Sequence, residues 1–282
     1  MPSDDRISQH YGSPGLADRI LAALKDAGKD LDALTVEDLA PLDQFHTRGL
    51  AATRELIAFA AMERGARVLD VGSGLGGPAR VLASDMNCDV TGVDITKEFS
   101  EVATMLSRLT RLQDVTEFRH GDATALPFED NRFDGVLTIQ IQMSIENKRQ
   151  FYDEIFRVLK PGGRFVFQDI MRGPAGEVHL PVPWATRPEE SFLFSIDELR
   201  ETLGSAGFEL ETLEDFSEEA LAWRKSQPAA AGLAPSRLGM HVVMGEQYVL
   251  MQSNQVRNLE EGRVAFVRGV AIKPAVAAHA AG

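Results

Sequence analysis

The feature that most constrains the fold of this chain is an apolar run that ends in a glycine-dense segment. Residues 67–71 read Arg-Val-Leu-Asp-Val, and they are followed directly by Gly72-Ser73-Gly74-Leu75-Gly76-Gly77-Pro78. Because glycine has no Cβ, such a turn can adopt positive φ angles and let a ligand approach the backbone closely. The first N–H groups of the helix that follows point toward the same place. We therefore expect a buried strand, a ligand-binding turn and a helix, in that order.

A carboxylate also closes the next apolar run. Asp94 follows Val90–Val93, and a carboxylate at the end of this second strand accepts hydrogen bonds from ribose hydroxyls in nucleotide-binding sheets. Gly72, Gly74 and Gly77 satisfy the pattern G-x-G-x-x-G of dinucleotide-binding turns. Enzymes that bind S-adenosylmethionine use the same strand, turn and helix. These residues alone therefore leave a nicotinamide cofactor and S-adenosylmethionine both open.

Strand-like and helix-like runs alternate after residue 66. Short apolar runs predict five strands, at Arg67–Val71, Asp89–Asp94, Thr116–His120, Phe133–Ile139 and Arg164–Ile170, with a sixth opening at Gly207-Phe208 and a last one at Arg263–Ile272. Helical spacing predicts helices at Pro78–Asp85, Lys97–Leu112 and Lys148–Leu159, and Lys160-Pro161-Gly162-Gly163 predicts a helix end and a turn. This alternation indicates an α/β fold with a doubly wound, mostly parallel, seven-stranded sheet.

Segments on both sides of this alternation predict a helical lid. Leucine and isoleucine recur at helical spacing in residues 16–24, and a second helical run follows Phe45-His46. Met171–Ser191 carries four prolines and is predicted to be a loop, Ser195 begins a capped helix, and Ala220–Gln255 is predicted helical with a hinge at Pro228–Pro235. We expect residues 1–60 to be an N-terminal lid segment, and residues 61–282 to be the main domain with cap insertions at about 171–194 and 217–256.

Composition narrows the class of ligand and the compartment. The 282-residue chain has a formal net charge of −13, which argues against a nucleic-acid partner because phosphate binding needs a basic face. No apolar run approaches the roughly 20 residues of a membrane span, and the polar residues 1–5 are unlike a signal peptide. The single cysteine, Cys88, leaves no internal disulfide. The six histidines are scattered, so no metal site is expected. These features predict a cytoplasmic protein.

Four further motifs separate the two cofactor classes. They are Asp70 inside the first strand, Gly121-Asp122-Ala123 with Leu126-Pro127-Phe128, Phe133-Asp134, and Val158-Leu159-Lys160-Pro161-Gly162-Gly163. In this order and spacing, residues 65 to 170 resemble the class I S-adenosylmethionine-dependent methyltransferases. The resemblance implies S-adenosyl-L-methionine as the cofactor, ribose contacts at Asp94, and adenine contacts at Asp122 and Ala123. The cofactor-binding residues it implies are Asp70, Gly72, Ser73, Gly74, Gly76, Asp94, Ile95, Asp122, Ala123 and Gln140. For Asp122, capping of its own turn remains an alternative.

The flanking segments narrow the resemblance. Residues 38–46, Pro181-Val182-Pro183-Trp184 and residues 257–263 are similar to a bacterial subgroup that includes the sarcosine/dimethylglycine N-methyltransferases. That subgroup implies a small-molecule acceptor enclosed under a cap. One residue departs from its pattern, because neutral Gln140 takes the place of an expected Asp or His. This departure weakens the case for a cationic amine substrate more than the case for methyl transfer.

Methyl transfer from a sulfonium needs an acceptor held in line with the breaking bond and kept from water. An amine or hydroxyl acceptor also loses a proton, and His46, His241 and Glu246 are the candidate bases. Candidate acceptor-binding residues are Phe45, Trp184, Met240 and Met244, for which packing in the cap core is an equal alternative. The sequence favours transfer to a small molecule, with an amine, O- or C-acceptor open. A nicotinamide-dependent oxidoreductase and a non-catalytic cofactor-binding protein are remote alternatives.

Overall fold

Seven strands form a single sheet. The computed structural model describes residues 15–226, 238–245 and 247–275. The strands are β1 (Arg67–Val71), β2 (Asp89–Asp94), β3 (Thr116–His120), β4 (Phe133–Ile139), β5 (Leu159–Arg172), β6 (Glu209–Asp215) and β7 (Val264–Ile272). They lie in the order β3-β2-β1-β4-β5-β7-β6. Only β7 runs antiparallel to its neighbours, β5 and β6. The predicted doubly wound, mostly parallel sheet is confirmed.

Helices cover both faces of the sheet. They are α1 (Leu16–Asp26), α2 (Val36–Asp43), α3 (Gly49–Phe59), α4 (Gly77–Met86), α5 (Lys97–Leu109), α6 (Lys148–Val158), α7 (Ile196–Ala206), α8 (Ser217–Ser226), α9 (His241–Met244) and α10 (Tyr248–Glu260). Within the described ranges, none is long and apolar enough to cross a bilayer.

Apolar side chains pack in two layers against the central strands. Leu69 and Val136 face α6 and α7 on one side, whereas Val68, Val90 and Leu137 face α3 and α4 on the other. Because successive side chains of a strand point to opposite faces, a strand buried on both sides is apolar at nearly every position. This explains why β1 and β4 are rich in apolar residues and buried along almost their whole length.

Two smaller clusters hold the flanking segments. Helices α1, α2 and α5 share one cluster with residues 238–243, and the loop around Trp184 shares another with α8 and the start of β7. The N-terminal helices therefore pack on the main domain through buried leucines such as Leu16, Leu24 and Leu39, each fully buried. The predicted division into a lid segment and a main domain remains a prediction.

Several predicted boundaries shift in the structure. Strand β5 begins at Leu159, so Lys160–Gly163 is part of the strand rather than the predicted turn. Pairing with β4 slips between Phe133 and Gly135, which accommodates the extra residues. Helix α2 was missed, although Thr35 and Asp38 form the reciprocal hydrogen bonds of a capping box at its start. The predicted hinge at 228–235 lies outside the described residues.

Candidate active site

The glycine turn lies at the carboxyl end of β1, between β2 and β4. Strand order reverses between β1 and β4, and ligands of doubly wound sheets bind in the crevice at such a point. Gly72 and Gly74 both have positive φ angles, 74° and 53°. A Cβ on Gly72 would lie 2.7 Å from Cγ2 of Ile141. The backbone of Gly72 is therefore packed so closely against the Ile141 side chain that no larger residue fits.

Gly76 lies in the same turn but next to the sheet, and its contact with the cofactor remains a prediction. It precedes α4 with a φ of 79°, and a Cβ there would lie 2.5 Å from the Phe118 ring. It does not line the cavity described below, whereas Gly72, Ser73 and Gly74 do. The close packing against Phe118 and the positive φ angle both require glycine at this position.

Asp94 is held by two backbone donors at the end of β2. Its Oδ2 accepts a hydrogen bond from Gly74 N, and its Oδ1 accepts one from Thr96 N, both at 2.8 Å. Burial raises the pKa of this carboxyl from its usual value, while the two backbone donors favour the charged form. Each carboxylate oxygen can accept a second hydrogen bond. Asp94 is therefore oriented at the cavity with free acceptor capacity, as ribose recognition requires.

Asp70 brings a second buried carboxyl to the same place. Burial, followed by the nearby charge of Asp94, raises its pKa to about 7. Among the described residues, its Oδ2 and the hydroxyl of Ser73 are buried without a hydrogen-bond partner. Buried polar atoms are nearly always partnered in proteins. Both residues line the cavity, and a buried carboxyl with a free acceptor there fits a polar, cationic ligand.

Asp122 caps its own turn after β3. Its Oδ1 accepts from Thr124 N and its Oδ2 from the Thr124 hydroxyl, both at 2.7 Å. The alternative interpretation from the sequence is therefore correct for these contacts. Asp122 and Ala123 nevertheless line the cavity together with Ile95. Their contact with adenine remains a prediction, because the second acceptor site of each carboxylate oxygen is still available.

One cavity of about 280 Å³ joins the predicted cofactor residues to the predicted acceptor wall. Phe45, Trp184 and the pair Met240 and Met244 come from three separate parts of the chain, and all four residues line it. Every predicted cofactor residue except Gly76 lines it as well. Sequence reasoning missed further lining side chains, namely Phe99, Met143, Ile145 and Tyr248. No short motif marks these four, because only the fold brings them together.

The charge of the lining distinguishes the two cofactor classes. Carboxyl side chains reach the cavity at Asp43, Asp70, Asp94, Asp122 and Glu146, and its described lining contains no lysine or arginine. A dinucleotide would place a doubly charged pyrophosphate beside these groups. S-Adenosylmethionine instead brings a sulfonium and an ammonium, which carboxylates stabilise. The lining therefore fits S-adenosylmethionine and disfavours a nicotinamide dinucleotide.

Of the three candidate bases, the structure brings His46 to the cavity. The side chain is buried, and burial lowers its pKa to about 4. Its Nε2 lies 3.0 Å from the carbonyl oxygen of Gly49, which can only accept. Nε2 therefore carries the hydrogen, and Nδ1 is left as an acceptor. His241 begins α9 and does not line the cavity, and Glu246 lies outside the described residues.

Gln140 lies at the end of β4 in a left-handed conformation with a φ of 53°. Non-glycine residues in this region are strained and concentrate at functional sites. Its backbone N donates to Gln168 O at 2.7 Å. Its Nε2 is buried without a partner among the described residues. Gln140 thus presents a neutral hydrogen-bond donor to the cavity where the sequence pattern led us to expect an acid or a histidine.

A buried ion pair ties the N-terminal segment to the glycine turn. Nη2 of Arg80, in α4, donates to Oδ2 of Asp43 at 2.7 Å, and both side chains are fully buried. The same guanidinium donates to the carbonyl of Leu75 within the turn. Sequence reasoning missed this pair, because the two residues are 37 positions apart.

Comparison with known proteins identifies the family. The family model for a methyltransferase domain matches residues 69–167. Methyltransferase GfsG of Streptomyces halstedii is 30% identical over 215 residues, which covers 75% of each protein. The chain spans less than half the length of the sterol methyltransferases it matches.

Two solved structures share the fold over most of the chain. The [4+2]-cyclase SpnF superposes with a TM-score of 0.67 and 25% identity, covering 98% of both chains. A protein described as a putative sarcosine dimethylglycine methyltransferase from Galdieria sulphuraria gives a TM-score of 0.65 at 18% identity, covering 80% of this chain and 85% of that one. With the carboxylate-lined cavity and the GfsG match, the family is settled. The chain belongs to the S-adenosylmethionine-dependent methyltransferases, and its cofactor is S-adenosyl-L-methionine.

Proposed function

We propose that this protein transfers the methyl group of S-adenosyl-L-methionine to a small acceptor with a largely apolar body. The observation that carries the proposal is the continuity of one cavity from Asp94 and Asp122 to the wall of Phe45, Trp184, Met240 and Met244. In this arrangement the carboxylates would hold the cofactor and the apolar wall would hold the acceptor.

The wall is suited to an apolar acceptor. Trp184 and Met240 are 3% and 8% exposed, so their surfaces are held in place by the surrounding core. Met244 and Phe45 pack in the cluster formed by α1, α2 and α5. Aromatic rings and thioethers bind apolar groups through area burial and adapt to irregular shapes. The resemblance to the N-methyltransferase subgroup supports an amine as the accepting group, with O- and C-acceptors as alternatives.

When bound, the cofactor supplies an electrophilic methyl group on a sulfonium. Asp70 and Asp94 hold positive and hydroxylated groups near the glycine turn, and the apolar wall orients the acceptor and excludes water. His46 Nδ1 is the candidate acceptor for a proton released by the substrate, because Nε2 is already committed to Gly49. A buried neutral imidazole with a pKa of about 4 is a weak base. It would serve an acceptor that loses its proton readily after transfer.

Transfer of tritium from methyl-labelled cofactor to a panel of alcohols, amines and acids tests this proposal. We expect label in organic-extractable product with the natural protein. Trp184→Phe should lower kcat/KM for the acceptor while the Kd of S-adenosylhomocysteine stays within twofold. Cofactor binding without label in any product would contradict the proposal.

A second candidate function is ring closure without methyl transfer. It is favoured by the match to SpnF, which is named as a [4+2]-cyclase and covers nearly the whole chain, and by the neutral Gln140 at the cavity. A polyene substrate converted to a cyclic isomer, with the cofactor recovered unchanged, would favour this candidate. Formation of S-adenosylhomocysteine in step with product would exclude it as the main activity.

We also propose that residues 1–60 form a lid segment, that residues 171–194 and 217–256 form cap insertions, and that the protein is cytoplasmic. The clusters that join α1 and α2 to residues 238–243 support a lid built from both ends of the chain. The single cysteine, Cys88, is buried and free, as is usual in a reducing compartment.

A further inference from the structure

Arg224 is a cation with no carboxylate partner in the part of the chain that the structure describes. It lies in α8, and its Nη2 donates to the hydroxyl of Thr47 at 2.8 Å. Its other contact is the ring of Trp223, 5.4 Å from the guanidinium carbon. Its Nε is buried and unpartnered. Neither contact neutralises the charge, and an uncompensated guanidinium in such a place is costly.

The position of Arg224 places this charge beside the cavity. Arg224 does not itself line the cavity, but its charge acts on two side chains that do, His46 and Tyr248. Thr47, which accepts its hydrogen bond, follows His46 directly in the chain. Burial lowers the pKa of Arg224 itself to about 10, yet the side chain retains some accessible surface. A ligand group in the part of the cavity next to His46 and Tyr248 would therefore lie near a poorly solvated guanidinium.

Other cations near the cavity are already engaged. Arg80 is paired with Asp43. Lys148 donates to the carbonyl oxygens of Ile145 and Phe192. Arg48, one residue beyond Thr47, pairs with both Glu55 and Glu219 at 2.6 Å. Unlike Arg80 and Arg48, Arg224 has no carboxylate partner among the described residues, and unlike Lys148 it keeps a buried donor without an acceptor.

We propose that Arg224 binds an oxyanion group, a carboxylate or a phosphate, on the methyl acceptor. A guanidinium offers a planar fork of donors that matches either group. Because the apolar wall of Phe45, Trp184, Met240 and Met244 would hold the rest of the molecule, the acceptor is an amphiphile with an anionic end. This inference rests on the proposed function, since it assigns part of the acceptor's structure.

Binding of simple amphiphiles tests the inference without turnover. Octanoate, octyl phosphate and octanol are titrated into the protein saturated with S-adenosylhomocysteine, with tryptophan fluorescence as the signal. We expect at least one of the two anions to bind about tenfold or more tightly than octanol, because a hydrogen bond between charged groups contributes about 1.5–3 kcal/mol. The stronger of the two identifies carboxylate or phosphate as the group. Equal binding of all three probes would overturn the inference.

Variants assign the preference to one side chain. Arg224→Gln should abolish the preference for the anions, and Arg224→Lys should keep part of it. Arg48→Gln is the matched control, because it removes a neighbouring cation that already has carboxylate partners, and the preference should persist. A preference that survives in Arg224→Gln, or disappears in Arg48→Gln alone, would contradict the assignment. If Arg224→Gln fails to fold, the Lys variant and the natural protein still decide the question.

Cofactor binding and turnover separate a failure of this inference from a failure of the proposed function. S-Adenosylhomocysteine should bind Arg224→Gln within twofold of the natural protein. A loss of tenfold or more would assign Arg224 to the carboxylate of the cofactor and overturn the inference. Methyl transfer to neutral acceptors alone would overturn the inference but leave the proposed function intact. An anion preference in a protein that transfers no methyl group would contradict only the proposed function.

Discussion

At the scale of single residues, Asp94 is the side chain on which the cofactor half of the site depends most. Its two oxygens are oriented by Gly74 N and Thr96 N, which leaves their outer lone pairs for a ligand. We expect Asp94→Ala to weaken S-adenosylhomocysteine binding by roughly tenfold or more in calorimetry, from the loss of a charge-assisted hydrogen bond. Asp89→Ala is the control, because that carboxylate is exposed at the other end of β2 and should leave the affinity unchanged. An unchanged affinity in Asp94→Ala would remove this residue from the site.

His46 makes stability depend on pH. Burial holds its pKa in the folded protein at about 4, below the ordinary histidine value of 6.5, so between these values the unfolded chain binds the proton more strongly. Stability therefore falls as the pH falls from about 6.5 toward 4, by at most about 3 kcal/mol from this group. Urea unfolding at pH 7.5 and 5 should show a smaller loss of stability for His46→Gln than for the natural protein. Equal losses would show that His46 is not held in its neutral form.

Some residues of the cavity could be predicted from the sequence, and others could not. That Asp94, Ser73 and Gly72 line the cavity could be predicted, because residues that end parallel strands or directly follow them lie at the ligand-binding edge of the sheet. His241 was chosen for its residue type alone, and the structure keeps it away from the cavity. Arg224 and Tyr248 carry no local pattern, because their relation to His46 exists only after the two ends of the chain meet.

At the scale of elements, the glycine turn between β1 and α4 combines two constraints. Gly72→Ala would force alanine into a φ of 74° and place its Cβ against Ile141. Gly162→Ala is a matched control, since Gly162 has a φ of 81° but no atom within 4 Å of the added Cβ. We expect about 1–2 kcal/mol of destabilisation from the backbone alone at Gly162, and a larger loss at Gly72. Urea unfolding measures both.

The added cost at Gly72 should come from Ile141. Combining Gly72→Ala with Ile141→Ala should therefore cost less than the sum of the two single changes, because the smaller side chain makes room. Additive losses of stability would show that the positive φ angle of Gly72, and not its contact with Ile141, requires glycine.

The strands could be predicted where they are buried on both faces of the sheet, because such strands have a simple sequence pattern. All seven strands were located, since β1, β2 and β4 are built around buried valine and leucine residues and β7 alternates enough to be recognised. The start of β5 was not predicted, because Pro161 and two glycines usually end regular structure. Here the antiparallel partner β7 extends the pairing, and Gly162 N donates to Lys273 O.

At the scale of the whole molecule, the N-terminal segment is joined to the main domain by a charge pair as well as by apolar packing. The carboxylate of Asp43 and the guanidinium of Arg80 are both fully buried. Asp43→Asn should cost about 3–5 kcal/mol in urea unfolding, because it leaves the guanidinium buried without a counter-charge. The double variant Asp43→Leu with Arg80→Met should recover part of the loss. If the double variant loses as much stability as the single variants Asp43→Leu and Arg80→Met lose together, this account is contradicted.

The central claim is that one cavity holds the cofactor at its carboxylates and the acceptor at its apolar wall. A crystal structure of the protein with S-adenosylhomocysteine tests it most directly. We predict the ribose hydroxyls within hydrogen-bond distance of Asp94, the adenine beside Asp122 and Ala123, and the sulfur facing the wall of Phe45, Trp184, Met240 and Met244. A ligand bound with its ribose away from Asp94, or with its sulfur turned away from that wall, would contradict the account.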